Sequence, residues 1–345
     1  VSSFSSNFKT PKVEQTSLSM EREVARRFAI GVSYMYVHGV DLIRALDVNL
    51  PPPANVQYPV YDSSGVNYLG TFYNVQSFST WQMTPSFTCP FPPCINPLAR
   101  PIAQLGAIDV FQSAASSVYH GGTLSIRRQM TSGVYFRLSY TYAHAIDDGQ
   151  DALVAGQPAL VQNSYAPNAE RGNSVTDQRQ RVAVSWIAEP RPFHRGQDLL
   201  SKMFDDWKLA GVYTYGSGRP VNLTVAGDPN QDGNSDNDRL PGAGRNSYLG
   251  PDYTSTDLRL TRRLFLKERV KADLIVESFN LLNHNNKLVD ITENGLQSDS
   301  ALFVKIDTEL GINTYPGHFQ IPSNPLQITN SYPPRQVQLA LRLSF

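Results

Sequence analysis

The most specific chemical spacing in the chain is Asp228-Pro229-Asn230-Gln231-Asp232-Gly233-Asn234-Ser235-Asp236-Asn237-Asp238. Oxygen-bearing side chains at Asp228, Asn230, Asp232 and Asp236 fall at positions one, three, five and nine, with Gly233 at six. Loops that wrap Ca2+ in hard oxygen ligands share this spacing. Position twelve is Arg239 rather than a bidentate glutamate, and no flanking helix pair is predicted. Two readings stay open, a calcium loop and a flexible polar loop, and Ca2+ is the one cofactor the sequence suggests.

Cys89 and Cys94 are the two cysteines, in Cys-Pro-Phe-Pro-Pro-Cys. A zinc ribbon needs two such pairs, and the spacing is not Cys-x-x-Cys. A local disulfide in an oxidising compartment is the favoured reading, against two unpaired thiols in a loop. His144 near Asp147 and Asp148 has the residue types of an acid–base pair, but no serine or cysteine motif accompanies it. His120, His194, His284 and His318 lack metal-ligand spacing. No enzyme is read from this chain.

The elements that must position these residues are strands. The chain ends with Val337, Leu339, Leu341, Leu343 and Phe345 alternating with polar or small residues. That is the period-two pattern of a strand with one apolar face. Similar alternation predicts strands near 13–23, 28–36, 123–128, 134–143, 182–186, 209–215, 257–260 and 271–277. Between them lie long segments, at about 39–116, 146–177, 217–252 and 282–333, together with short turns and a possible short helix at Asp198 to Phe204. Connections alternate long and short along the chain. An antiparallel barrel in an outer membrane sorts its loops this way, with short turns on the periplasmic side and long loops outside, whereas a soluble sandwich has no reason to. The expected fold is therefore all-β, an antiparallel transmembrane β-barrel with long extracellular loops. Trp186 and Trp207 fall at the same, periplasmic, rim, where indole rings favour the interface. Arg259, Glu277 and Arg342 occupy alternate positions and are candidates to face the lumen.

Composition agrees. The 345 residues carry 30 basic and 30 acidic side chains, a formal net charge of zero, which gives no basic surplus for nucleic acid. Mean hydropathy is −0.32, and no apolar run approaches the roughly 20 residues of a membrane helix. Seventeen tyrosines and 16 phenylalanines are enough for interfacial girdles. About nine strands are read, an odd number that leaves bare edges in lipid. Either a strand within 39–116 has been missed, or more barrel precedes Val1, where no leader is seen.

Several segments resemble a known family. Glu277-Ser278-Phe279-Asn280-Leu281-Leu282-Asn283-His284 and the terminal stretch Pro334 to Phe345 are the most specific. Asn237-Asp238-Arg239 with Gly244-Arg245-Asn246, and Ser139-Tyr140-Thr141-Tyr142 with Asp147-Asp148, fit the same pattern. These segments resemble the carboxy-terminal barrel of Oar-like TonB-dependent outer-membrane receptors. The resemblance implies a 22-stranded barrel of which residues 1–345 are the carboxy-terminal part. It also implies a plug and a TonB-binding segment, both absent from this chain. It further implies a last strand, with Val337, Leu339, Leu341, Leu343 and Phe345, read by the barrel assembly machinery. The expected function is energy-dependent uptake of a scarce solute across the outer membrane of a Gram-negative bacterium. The alternative is a surface or adhesion barrel whose wall is a rigid stand for large loops.

Overall fold

The computed structural model describes residues 1–78, 100–102, 104–149, 160–190, 205–265, 270–289, 291–292, 295–304, 317–324, 326, 328 and 330–345. Cys89, Cys94, His194 and the segment 198–204 lie outside the described residues.

Nine long strands form one continuous antiparallel wall. They are β1 (Lys12–Ala25), β2 (Phe28–Asp47), β3 (Asp109–Thr131), β4 (Val134–Asp147), β5 (Gln180–Ala188), β6 (Trp207–Gly216), β7 (Tyr253–Phe265), β8 (Lys271–Phe279) and β9 (Gln336–Ser344). Each pairs with its neighbours in the chain, so the wall is a simple meander. The expected strands all appear, several of them longer than the alternation suggested. β2 has 20 residues and β3 has 23, about twice what a tilted membrane crossing needs.

Register makes the two faces of the wall continuous. One row runs Met20, Val32, Leu124, Tyr140, Val182 and Tyr215, and another runs Leu209, Leu260, Val276 and Leu339. These rows build an apolar face. The alternate face carries Ser19, Ser33, Thr123 and Thr141 in one row. Because side chains alternate strictly across a strand, one pairing register fixes all of them.

The turn between β3 and β4 is tight, and both Ser132 and Gly133 adopt positive φ (51° and 75°), the geometry that suits the twist of a hairpin. On the apolar face the indole of Trp186 lies across Gly211, where a Cβ would come within 2.6 Å of the ring. Glycine is therefore required there by close approach.

β1 is exposed along its whole length, and β9 at all but its last residue. Among the described residues these two strands do not pair with each other.

At the long-connection end the segments read as polar loops contain a second sheet of seven strands. Asn222–Ala226 pairs in parallel with Gln297–Leu302, and Phe319–Ile321 pairs in parallel with Val60–Asp62. Ala54–Asp62 and Tyr68–Ser77 form an antiparallel hairpin. Among the described residues of 39–116 the two further strands are this hairpin, and both belong to the outer plate, so no missed wall strand is found there. Tyr58, Val60, Val75, Val225, Ala301, Phe303 and Phe319 form the plate's core. Tyr58 and Phe303 meet edge to face at 4.9 Å, the arrangement aromatic quadrupoles favour. Among the described residues no helix is long and apolar enough to cross a membrane.

Candidate functional site

The chemistry of this chain is concentrated where the outer plate meets the ends of the wall strands. The connection between β4 and β5 brings in Glu170 from a single 3-10 turn, Pro167–Glu170. The connection between β6 and β7 brings in Arg239 and Arg245. Glu170 is 1% exposed. It accepts two hydrogen bonds from Arg239, at 2.8 and 2.9 Å, in a bidentate fork, and a third from the Gln162 amide. Arg245 donates through Nε to the Glu170 carbonyl (2.7 Å) and is ion-paired with Asp147 at the end of β4. Burial pulls the Arg245 guanidinium down to about 10, still charged at neutral pH. Buried pairs of this kind hold position only when their remaining donors and acceptors are met. Further along the rim Arg100 bridges Asp47 (2.6 Å) and the Asp232 carbonyl (2.6 Å). Asp177 accepts from Arg179 (2.7 Å) and from the Ala145 amide.

The calcium-spaced loop lies inside this network. Its acidic and amide side chains cap the loop's own backbone. Asp228 accepts from the amides of Asp232 and Gly233, Asn230 from Asp232, Asp232 from Asn234, and Asn234 from Asp236. The Asn230, Asp232 and Asn234 contacts, each to the amide two residues on, are Asx-type turns, in which a short side chain substitutes for a backbone acceptor, while Asp228 reaches the amides four and five residues on. The positive φ of Gln231 (58°) and Gly233 (91°) completes the sharp path. Burial, with the Asp228 carboxylate close by, pushes the Asp232 carboxyl up to about 7. Burial, with Asp232 and Asp228 nearby, raises Asp238 as well, and its Oδ2 has no hydrogen-bond partner. Asp236 is exposed. Among the described residues no three His, Cys, Asp or Glu side chains converge as a metal cage.

His144 does not engage Asp147 or Asp148. Its Nε2 meets Arg179 (2.7 Å) and Asn173 (3.2 Å), and residues three apart on a strand face opposite sides. His120 bonds the Tyr34 hydroxyl (2.7 Å), and His284 contacts Asn286 (3.0 Å). His318 packs on the Tyr61 ring, and burial holds its imidazole below the usual value.

On the wall's polar face Arg259 pairs with Glu277, which also accepts from Gln338 (2.6 Å). Arg342 stands opposite Asp273, whose carboxylate accepts from Arg263 (2.8 Å). Val337, Leu339, Leu341 and Leu343 are exposed on β9, and Phe345 is 91% exposed. Arg127 pairs with Glu21 (2.7 Å), and Arg262 lies 5.2 Å from the centre of the Trp207 ring, a cation–π contact.

Among the described residues three clefts open at this end, the largest, of about 420 Å³, beside Val37, Tyr119 and Ile146. One of about 200 Å³ lies against Gln162, Glu170, Asn230 and Arg239. A larger one of about 320 Å³, which the sequence did not flag, is lined by Arg181, Tyr215, Arg219, Tyr253, Lys287 and Tyr332, among others. Neither signal was available beforehand, because the lining residues come from connections far apart in the chain.

No curated protein matches the chain. Two solved structures are similar in outline. One is the outer membrane transporter YddB from Escherichia coli, at 10% identity and a TM-score of 0.43, covering 91% of this chain and 32% of that one. The other is the FpvAI–pyocin S2 complex, at 9% identity and a TM-score of 0.39, covering 96% of this chain and 26% of that one. The chain thus spans about a third or less of the length of these structures. The family described as outer membrane beta barrel domain matches residues 1–244, well over half of the sequence. The chain belongs to that family of outer-membrane β-barrels.

Proposed function

We propose that this chain is the carboxy-terminal barrel portion of a TonB-dependent receptor that imports a scarce solute, with the outer plate as its capture face. The observation that carries the reading is the plate itself. Strands from three long connections fold into one sheet, and buried ion pairs such as Arg245–Asp147 and Arg100–Asp47 tie the connections to the ends of the wall strands. A preorganised, polar face of this kind suits selective capture, because little ordering entropy remains to be lost on binding. By the general rule for such barrels the long-connection end faces outward. Among the described residues the wall edges β1 and β9 are unpaired, and an edge in hydrocarbon needs a partner because its backbone groups are otherwise unsatisfied. In this reading the partner strands, the plug and the TonB-binding segment belong to the full-length protein. Arg259, Glu277 and Arg342 then line the lumen, and the β9 apolar residues ending in Phe345 present the signal for the barrel assembly machinery.

The test is the intact mass and peptide map of the native polypeptide in the outer-membrane fraction, with uptake measured in energised and uncoupled cells. The expected result is a mass well above 38.3 kDa, peptides of a plug, and energy-dependent uptake lost on deletion. A mass near that value, with attachment lost and uptake retained in the deletion strain, would replace the receptor by an adhesive stand.

A further inference from the structure

Arginines at the long-connection end are mostly consumed by carboxylates. Arg239 is held by Glu170, Arg245 by Asp147, Arg100 by Asp47, Arg179 by Asp177 and Arg171 by Asp148. Arg181, Arg219 and Lys287 break that pattern. All three are exposed, all three line the 320 Å³ cleft, and none has an ion-pair or side-chain hydrogen-bond partner among the described residues. Among the described residues no carboxylate lines the cleft. The nearby acid, Asp252, is already engaged by the Tyr215 hydroxyl (2.8 Å) and the Gly218 amide (2.9 Å).

Three like charges facing one small concavity repel one another, and a bound anion relieves that repulsion. Arginine's planar donor fork matches carboxylate and phosphate oxygens. The cleft is larger than a lone phosphate requires. Tyr215, Tyr253 and Tyr332 add rigid rings with hydroxyls to its wall, and Tyr253 and Tyr332 brace each other edge to face at 5.1 Å. Arg181, Gly216 and Tyr253 share one cross-strand row at the upper end of β5, β6 and β7, on the wall's polar face. Tyr215 belongs to the neighbouring apolar row, so the cleft draws side chains from both faces at the rim of the wall.

We propose that this cleft, at the junction of β5–β7 with the connections holding Arg219 and Lys287, binds a small hydroxylated ring bearing phosphate or carboxylate. A phosphorylated or carboxylated sugar is of this class. The inference rests on the receptor reading for the solute's route, and it names the class of solute. Arg181, Arg219 and Lys287 supply the charge-assisted hydrogen bonds, and the tyrosines supply the flat contact surface.

The test uses the native outer-membrane polypeptide in detergent, with glucose 6-phosphate as probe and glucose as neutral control, followed by calorimetry at low salt. Binding of the phosphorylated sugar and not of glucose is expected. Arg181→Gln, Arg219→Gln and Lys287→Gln should each weaken it about tenfold, the size of one charge-assisted hydrogen bond. Arg171→Gln, outside the cleft, should leave it unchanged. Equal binding of glucose, no binding at millimolar probe, or wild-type affinity in all three variants would overturn the proposal. Displacement of the probe by lipopolysaccharide would also overturn it, because the cleft would then serve a membrane sugar phosphate rather than a free solute. Uptake in energised cells is scored separately. Binding without uptake leaves the cleft in place and removes the transport reading, and uptake without anion binding does the reverse.

Discussion

Glu170→Ala is the most informative single change. Glu170 is 1% exposed and accepts both guanidinium bonds of Arg239, itself 8% exposed, as well as the Gln162 amide. Removing the carboxylate leaves a buried cation whose Nε is already without a partner. Breaking a buried pair this way costs about 3–5 kcal/mol. The pair joins two connections to each other, and no wall pairing passes through it, so the cost falls on the plate. The amides of Val225 and Leu240, bonded to Asp238 and Leu223 carbonyls, report on that region. Their hydrogen exchange should accelerate by about 100- to 3,000-fold, at roughly 1.4 kcal/mol per decade. Amides of β4 and β5, such as Ser139 and Ala183, should not change. The double variant Glu170→Leu/Arg239→Met should recover most of the protection, because no charge is left stranded. Exchange at Val225 and Leu240 within about threefold of wild type in Glu170→Ala would refute the reasoning. So would a double variant worse than the single.

Other perturbations reach different parts of the molecule. Leu138→Arg, between Ile126 and Val184 on the apolar face, should destabilise the barrel in bilayers by about 2–4 kcal/mol. Ser139→Arg on the alternate face should cost little, and equal urea midpoints for the two would invert the assigned faces. Asp232, pushed up to about 7 against its ordinary 3.8, is protonated in the fold at pH 5 and ionised in the unfolded chain. Its contribution is therefore complete below pH 4 and lost as pH rises to 7, about 4 kcal/mol in all. Near-UV dichroism melts of the plate should fall across that window in wild type and stay flatter in Asp232→Asn; parallel curves would exclude the linkage. For the calcium-spaced loop, the calcium reading predicts that millimolar Ca2+ against chelator at pH 8 raises the plate's melting temperature in wild type. The ion should have no such effect in Asp228→Asn/Asp232→Asn. Identical melting of wild type with and without the ion would leave the Asx turns as the loop's complete account.

The wall was legible because each of its strands has one apolar and one polar side. Leu138, Tyr140 and Tyr142 against Arg137, Ser139 and Thr141 need no partner to be recognised. The plate was not legible, for the opposite reason. Pro220–Ala226 is buried on both faces along almost its whole length and pairs in parallel with a strand some 75 residues away, so it carries no alternation. The Asp228–Asp238 spacing was visible, but spacing alone does not tell a cation from a backbone amide as the partner of each oxygen. Glu170 and Arg239 are 69 residues apart, and each is one charge among 60 in the sequence. Arg181, Arg219 and Lys287 become informative only when their lack of carboxylates is seen beside five paired arginines.

The order of contacts along the chain has a kinetic consequence. Every wall pairing joins consecutive strands, so the wall can grow hairpin by hairpin as the chain is delivered. The plate cannot. Its central strand, Gly295–Val304, arrives from the last connection, yet it joins Asn222–Ala226 to the His318–Ile321 strand, which in turn carries the Ala54–Asp62 hairpin. Until that segment has crossed, Tyr58 and Val60 have no Phe303 or Phe319 to pack against. The two earlier connections that supply plate strands must therefore reach the far side of the membrane before the plate can close, and wait there with apolar residues uncovered. Completion of the plate is then the last cooperative event of biogenesis, and a slow final phase should track its mutations while wall formation does not.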